Sequence, residues 1–334
     1  MHVEIKTTSV KPLRLTFGHL ARRFGDKQAT RYQEGTYDIQ PGVNFHYKPL
    51  WDPEFDMYDR RRTAIVMKDW YALKDPRQYY YGNYTIARSK WQEAQERQIE
   101  FLEKRGLLFN LPVETREAIT FSLVTLRHYE WGANTNNAHM SAYGWGTAIT
   151  QATMMNCMDR LGIAQHLSKI GLLIDGNSGK SLVTAKRFWM DAPEWQGMRH
   201  EMENMFVTRD WFELFVAQNL VADGLVYPLF FQQLDSQMAA LDGSFLSLIA
   251  DFPLRWYDES GKWVDSVIKV AAAESEQNQK LLSEWVAKWR AAHAAALTKI
   301  ADRVMGKHAG QAVASVLDVF DARCQKLGVA RGSV

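Results

Sequence analysis

The sequence predicts an all-α protein, in which an extended, non-helical arm at the N-terminus precedes a large helical bundle. Apolar residues recur at the three- and four-residue spacings of buried helix faces from about residue 77 onward. Period-two alternation and Asn-Gly hairpin signals are absent from the sequence, which disfavours a sheet. The chain therefore divides into a predicted arm, residues 1–76, and a predicted helical domain, residues 77–330.

Proline and aromatic residues set the predicted arm apart from the rest of the chain. Five of the nine prolines lie in the first 76 residues, and proline is excluded from helix interiors. The same segment interleaves the basic clusters Arg22-Arg23 and Arg60-Arg61-Arg62 with many aromatic side chains, whereas disordered tails are poor in aromatics. We expect the arm to bury these aromatics on its own body or on another subunit, and favour the subunit.

The helical domain reads as a series of amphipathic stretches separated by turn signals. Asp75-Pro76 is a start signal for the first helix, and Gly106 is its predicted stop. The later helices are predicted at residues 113–140, 144–171, 181–190, 193–222, 224–242, 244–257, 260–290 and 307–327. Breaks are predicted at residues 176–179, 191–193, 223–224 and 242–243.

Composition excludes several classes of function. The net charge of +2 offers little attraction for nucleic acid. Cys157 and Cys324 lack a CxxC partner, so a zinc ribbon or a dithiol redox motif is excluded. The longest apolar stretch, Leu220 to Phe231, contains Asp223 and Pro228 and is too short to span a membrane. Without a signal-peptide pattern either, the expected location is the cytoplasm, with no nucleic-acid or membrane partner.

Catalytic and nucleotide-binding motifs are also missing. The segment Gly176 to Ser181 resembles a phosphate-binding loop, but Ile174 stands where that motif requires glycine. None of the nine histidines has a glutamate three residues before it. A diiron bundle uses two Glu-x-x-His pairs, because this spacing puts both ligands on one helical face. A catalytic diiron oxygenase, the first alternative considered, therefore has no ligand set here.

Several long stretches resemble the β subunits of the hydroxylase components of bacterial multicomponent phenol hydroxylases. These belong to the soluble diiron monooxygenases, together with toluene and methane monooxygenases. The resemblance covers most of the chain and rests on residues 3–10, 21–27, 44–53, 69–77, 158–165, 174–179 and 209–213. It implies a ferritin-like helical bundle, shared by a catalytic α subunit and a non-catalytic β subunit that has lost its iron ligands.

The resemblance also implies that the iron-ligand positions survive only in degenerate form. Glu130 keeps the position of the first glutamate on its helix. Arg160 and Ile163 stand where the next helix would carry Glu and His, and neither a cation nor a hydrocarbon binds iron. We therefore expect no catalytic, cofactor-binding or metal-binding residue on this chain.

In the second half of the chain the implied register is uncertain by a few residues. Residues 221–223 lie where a glutamate is expected, and Glu259 and Lys262 take the place of the last Glu-x-x-His pair. A carboxylate without metal in a bundle core is unfavourable unless it is paired. We therefore predict that Arg160 neutralises Glu130.

The resemblance implies partners and cofactors that lie outside this chain. The expected assembly is (αβγ)₂, with a diiron centre in α and a small γ subunit. A reductase with FAD, a 2Fe-2S cluster and NADH would supply electrons, and a small effector protein would gate the conversion of phenol to catechol with O₂. Two alternatives stay open, namely a β subunit of a related toluene or benzene monooxygenase and a freestanding helical interaction protein.

Overall fold

The computed structural model describes residues 18–39, 48–242 and 245–329, and every regular element within these ranges is helical. The α-helices are α1 Gly18–Phe24, α2 Arg31–Thr36, α3 Tyr81–Lys104, α4 Val113–Ile119, α5 Thr125–Tyr143, α6 Thr147–Ile174, α7 Lys180–Asp191, α8 Pro193–Phe206, α9 Trp211–Phe215, α10 Asp223–Pro228, α11 Leu234–Asp242, α12 Phe245–Glu274, α13 Glu276–Met305 and α14 Ala309–Lys326. Three π-helical segments are Thr120–Val124, Val216–Ala222 and Leu229–Gln233. The predicted all-α class is confirmed.

Four long helical units form the centre of the bundle. They are the antiparallel pair α5 and α6, the helix α12, and a continuous rod in which the second and third π segments link α9, α10 and α11. Helix α13 packs against the rod, α8 and α12, and α14 packs against α13. The interior is rich in aromatic residues, and the largest fully buried side chains include Trp195, Trp211, Trp256, Trp263 and Trp289.

The rod also passes a length and composition test for a membrane span. An 18-residue window within Trp211–Ala240 has a mean hydropathy of 1.4 and is 100% buried in the fold. Burial on every side is the environment of a core helix, and a core helix of this length meets the same test. The apolar character of the rod is therefore explained by packing within the bundle.

One predicted break, at 223–224, and one predicted junction between helices, at 257–260, are wrong. Asp223 and Gly224 lie inside the rod rather than between two helices. A Cβ atom at Gly224 would come within 2.9 Å of Phe320, so this glycine allows α14 to approach the rod closely. Residues 257–260 likewise lie inside α12, which runs on to Glu274. The break falls at Ser275, whose hydroxyl accepts the amide of Asn278 at 3.1 Å and begins α13.

The predicted helix over 193–222 is divided in the structure. Helix α8 ends at Phe206, and α9 begins only at Trp211. Asp210 starts α9, because its carboxylate accepts the amides of Phe212 at 2.8 Å and Glu213 at 3.1 Å. The predicted breaks at 176–179 and 191–193 are confirmed, and Gly243 of the break at 242–243 lies outside the described residues.

The arm contains more helix than the sequence predicted. Helices α1 and α2 lie within it, and α2 begins with a capping box in which Thr30 and Gln33 bond each other's backbone amides. The sequence analysis missed these short helices because the arm is rich in proline. The helices are also too short to show an apolar period, and α2 is marked only by its capping residues. The predictions for residues 1–17 and 40–47 lie outside the described residues, and the boundary at residue 76 stays a prediction.

Part of the arm packs on the body of the same chain. Tyr32 and Tyr37 are buried in a small cluster with Tyr71 and Ala148. Arg23 holds this cluster in place, because its guanidinium bonds Asp38 at 2.8 Å and Asp69 at 2.6 Å. Further along the arm, Leu50 and Trp51 are exposed. One part of the arm therefore packs on the body of its own chain, which was one of the two expectations. Another part exposes apolar side chains that are available to a second subunit.

Candidate functional site

The centre of the bundle holds a cluster of ionised and hydroxyl-bearing side chains where a core would normally be apolar. Glu130 projects from α5, Arg160 from α6, and Asp223 and Tyr227 from α10. The side chains of Glu130 and Arg160 are 0% exposed. Full burial of an acid and a base in this way is tolerated only when each is paired and hydrogen-bonded.

Arg160 is the hub of this cluster. Its Nη1 atom donates to Oε2 of Glu130 at 3.1 Å and to the hydroxyl of Tyr227 at 3.3 Å, and its Nη2 atom donates to Asp223. The guanidinium carbon lies 4.3 Å from the centre of the Trp256 ring, which adds a cation–π contact. The predicted ion pair between Arg160 and Glu130 is therefore present, and Asp223 extends it to a triad.

A π-helical segment helps to shape the acidic end of this triad. Asp223 accepts from the hydroxyl of Tyr129 at 2.6 Å and from Nε2 of Gln218 at 3.1 Å. Gln218 and Asp223 are five residues apart, a spacing that faces the same way in a π-helix but not in an α-helix. The π segment Val216–Ala222 therefore allows both side chains to face α5.

An amide ladder continues the polar core beyond the triad. Asn136 of α5 donates to Gln218 at 2.9 Å, and the next residue, Asn137, donates to Asn219 at 3.2 Å. Asn156 of α6 donates to both Asn137 and Asn219, at 3.0 and 3.2 Å. These bonds link buried amides of α5, α6 and the rod, so they fix the register of the three helices.

Burial and charge set the protonation of the site. Burial, with the nearby charge of Asp223, raises the pKa of Glu130 to about 7, although Arg160 and the Tyr227 hydroxyl both act to lower it. Burial alone would lower the pKa of Arg160, but Asp223 and Glu130 raise it well above its ordinary value. Burial also raises the pKa values of Tyr129 and Tyr227. Arg160 is thus permanently charged, and Glu130 is the group that titrates near neutrality.

Glu130→Gln is expected to remove a pH dependence of stability. A carboxyl whose pKa rises on folding from 4.5 to about 7 binds its proton more tightly in the folded state, so it stabilises below pH 4.5 and loses that contribution as the pH rises through 7. Between pH 4.5 and pH 7 the free energy of unfolding of the wild type should therefore fall by up to about 3 kcal/mol relative to that of the variant. Urea unfolding of both proteins between pH 5 and pH 8 measures the difference.

Glu100, an exposed glutamate that forms an ion pair with Lys104, provides a control for this prediction. Glu100→Gln changes the same functional group at a position with a 57% exposed side chain, so its difference from wild type should be nearly independent of pH. A constant difference between wild type and Glu130→Gln across the same range would show that Glu130 does not titrate in this window.

Two of the predicted ligand positions, Glu259 and Lys262, are not assembled as the resemblance implied. Ile163, by contrast, is fully buried in the apolar core, on the same helix as Arg160. Glu259 bonds Arg88 at 2.9 Å and the hydroxyl of Tyr79 at 2.8 Å, while Lys262 is exposed. The placement of Glu259 and Lys262 at the centre is therefore wrong.

The continuity of α12 explains this correction. Because no break interrupts the helix between Phe245 and Glu274, its buried face presents Trp256, Ser260 and Trp263. Positions 259 and 262 consequently fall on its flanks. The sequence analysis did not identify Trp256 as part of the site. Its ring lies against Arg160, at the centre of the bundle where Glu259 and Lys262 were expected.

A second cluster lies beside the triad and is linked to it through Trp256. Asp159 accepts two bonds from Arg88, both at 2.8 Å, one from the Tyr84 hydroxyl at 2.8 Å and one from the Trp256 indole at 2.9 Å. Arg88 also bonds Glu259. Nothing in the local sequence pattern of α3 indicated this role for Arg88, because its partners come from α6 and α12.

Glu213 of α9 finds its partners on another helix. Arg209, four residues earlier in the sequence, lies outside α9, which begins only at Trp211. Glu213 instead bonds Nζ of Lys288 at 2.7 Å and the indole of Trp289 at 3.0 Å, both on α13. The side chain is a structural link between two helices.

The donor set at the centre does not suit iron. Iron in such bundles takes carboxylates and histidines, whereas here a guanidinium lies between the two acids and bonds both. Within the ranges that the structure describes, no group of three or more His, Cys, Asp or Glu side chains is arranged to hold a metal ion. The arrangement can neutralise charge and fix helix register, and it offers no open coordination position.

The fold and the site together define a ferritin-like helical bundle whose centre is occupied by an ion triad. Comparison with known proteins gives the family: residues 51–275 match the family described as Methane/Phenol/Alkene Hydroxylase. The chain belongs to this family.

Similar proteins extend this relationship over nearly the whole chain. The oxygenase component DmpL of phenol 2-monooxygenase from Pseudomonas sp. (strain CF600) is 46% identical over 98% of both chains. The crystal structure of xenon-pressurised phenol hydroxylase from Pseudomonas sp. OX1 matches with a TM-score of 0.93 and 44% identity, covering 99% of this chain and 100% of that one. The ferritin-like fold is thereby confirmed.

A more distant relative is a component of a toluene monooxygenase. The β subunit of the toluene-4-monooxygenase hydroxylase from Ectopseudomonas mendocina is 25% identical over 84% of this chain and 88% of that protein. This identity is well below the 46% shared with the phenol 2-monooxygenase component. Hydroxylase components of this kind belong to multi-subunit monooxygenase systems.

Proposed function

We propose that this chain is the non-catalytic β subunit of a multicomponent phenol hydroxylase. The observation that carries the proposal is Arg160, whose guanidinium bonds Glu130 and Asp223 at the centre of a bundle whose relatives are oxygenase components. A cation at that place excludes ligation by the two acids and stabilises the helices around them. The contribution of the chain is then assembly, with the chemistry on a partner.

The proposed division of labour assigns every cofactor to another chain. The catalytic α subunit would hold the diiron centre, a γ subunit would complete an (αβγ)₂ assembly, and an effector protein would gate it. A reductase with FAD, a 2Fe-2S cluster and NADH would supply electrons for hydroxylation of phenol to catechol in the cytoplasm. The substrate pocket lies in α under this proposal, and a role in a toluene or benzene monooxygenase is the second candidate.

The outer side of the α5–α6 pair is the surface that we assign to the α subunit. Met154, Met158 and Leu161 form an exposed stripe on α6 at spacings of four and three, and are 44%, 41% and 50% exposed. Trp131 of α5 is 58% exposed. Adjacent exposed apolar side chains on two helices are typical of a protein interface.

This surface lies directly behind the ion triad. Glu130 and Trp131 are consecutive residues, as are Arg160 and Leu161. The inner side of the α5–α6 pair therefore carries the residues of the ion triad, and its outer side presents exposed apolar side chains. A rigid pair of this kind suits a subunit that braces its partner.

Co-expression with the neighbouring α and γ chains tests the proposal. We expect one stable complex in which this chain is stoichiometric with α, observed by size-exclusion chromatography with mass measurement. Separation of this chain from α at low concentration would overturn the proposed role. A monomeric chain with activity of its own would support a freestanding protein instead.

A further inference from the structure

Tyr227 combines complete burial with an aromatic stack and a proton acceptor. Its side chain is buried within the bundle. The ring lies 5.4 Å from that of Tyr257 in a nearly parallel stack, at an interplanar angle of 13°, and 5.1 Å from that of Trp256. Its hydroxyl donates to Oε1 of Glu130 at 2.8 Å. The ion pair of Arg160 uses the other oxygen of Glu130, Oε2, so Tyr227 has Oε1 as a separate acceptor.

A hydrogen-bonded carboxylate changes the redox chemistry of a buried phenol. Removal of one electron makes a phenol strongly acidic, so its oxidation is easiest where a base can take the proton within the existing hydrogen bond. Glu130 is such a base, and the charged and titratable groups that face it are Arg160, Asp223 and Tyr227. Burial keeps water away from the resulting radical and so prolongs its lifetime.

Tyr257 connects this buried phenol to the outside. It is partly exposed, and its hydroxyl accepts from Nη1 of Arg323 at 3.1 Å. The face-to-face stack places its π system against that of Tyr227 over a short distance. An electron can therefore leave Tyr227 through Tyr257 without movement of either side chain.

Tyr129 is a natural comparison within the same site. It is equally buried, and its hydroxyl donates to the carboxylate of Asp223 at 2.6 Å. In the described part of the chain, however, no aromatic ring stacks on Tyr129. Each of the two tyrosines thus has a carboxylate as its proton acceptor, but only Tyr227 stacks on a second aromatic ring that could pass an electron.

We propose that Tyr227 is a redox-active tyrosine, which traps oxidising equivalents that reach this chain. A strong one-electron oxidant takes one electron from Tyr227 through Tyr257 and is itself reduced by one electron. The O–H bond of Tyr227 breaks, its proton moves to Oε1 of Glu130, and a neutral tyrosyl radical faces a neutral carboxylic acid. A later one-electron reduction returns the proton and restores the pair. The chemistry belongs to this chain whether or not it acts as a hydroxylase subunit.

Photo-oxidation of the full-length chain tests this proposal. Ruthenium tris(bipyridine) with a cobalt(III) electron acceptor serves as the oxidant, and electron paramagnetic resonance records the radical that persists after exposed tyrosyl radicals have decayed. We expect a persistent neutral tyrosyl signal in the wild type. Tyr227→Phe should lose most of it, whereas Tyr129→Phe should retain it.

Glu130→Gln provides a second test that keeps the aromatic stack intact. It removes the proton acceptor with almost no change in volume, so most of the persistent signal should also be lost. Thermal melts of each variant establish that it is folded. A wild-type signal in Tyr227→Phe or in Glu130→Gln would overturn the proposal, as would the absence of a persistent radical in the wild type.

Discussion

Arg160→Met lowers the free energy of unfolding by about 3–5 kcal/mol in our expectation, the largest effect of any single substitution considered. Methionine fills a similar volume but leaves Glu130 and Asp223 as two buried acids without a counter-charge. Urea unfolding at pH 8, above the Glu130 pKa of about 7, measures the loss. The loss should shrink at pH 5, because protonation of Glu130 then relieves part of the uncompensated charge.

Arg255→Met is the matched control for this prediction. Arg255 also bonds an acid, Asp251, at 3.0 Å, but its side chain is 62% exposed, so its loss should change stability by no more than about 0.5 kcal/mol. Replacing the acids as well, with Glu130→Gln and Asp223→Asn in the Arg160→Met background, should recover much of the stability. Equal effects of Arg160→Met and Arg255→Met would contradict the role assigned to the triad.

The double substitution Met158→Glu with Leu161→Glu is expected to disrupt the complex with α. Both side chains lie on the exposed stripe of α6, so the isolated chain should fold normally. In an apolar interface the two carboxylates would be buried without partners. We expect association to weaken on the order of 100-fold, or about 2.8 kcal/mol, measured by titration of labelled chain against α.

Val319→Glu controls for an added charge on an exposed apolar position. Val319 lies on α14 and is 65% exposed, away from the α5–α6 surface. This variant should bind α as the wild type does. Full binding by the Met158 and Leu161 variant would place the interface elsewhere on the bundle.

Local patterns were sufficient for the fold class and for half of the central site. Apolar periodicity predicts the helical bundle, because each helix buries one face. Glu130 and Arg160 could be paired from sequence, since a buried acid needs a counter-charge and the resemblance placed both on facing helices. Asp223 carried a weaker signal as an acid within the apolar stretch Leu220 to Phe231.

The rest of the site depended on contacts between distant segments. The predicted register of α12 was wrong in a region that the sequence analysis divided between helices at 244–257 and 260–290, whereas α12 runs without interruption to Glu274. With that shift, Trp256 rather than Glu259 comes against Arg160. Tyr227 could have been suspected from its position four residues after Asp223, which puts both on one face of a helix.

The π segments also lay beyond sequence reasoning. An inserted residue leaves the apolar character of a helix unchanged and only rotates the side chains that follow it. In the rod, this rotation brings Gln218 and Asp223 together on the side of α5. The short helices of the arm were missed for a related reason, since they are too short to show an apolar period. Helix α2 is defined instead by its capping box, formed by Thr30 and Gln33.

Under the proposed function, Arg160 takes the place of a metal in this subunit. Iron counting in the co-expressed complex tests it most directly, with native mass spectrometry of the separated subunits to locate the metal. We expect iron on α and none on this chain, and we also expect this chain to bind no iron when it is incubated alone with Fe(II). Stoichiometric iron on this chain, in the complex or alone, would contradict it.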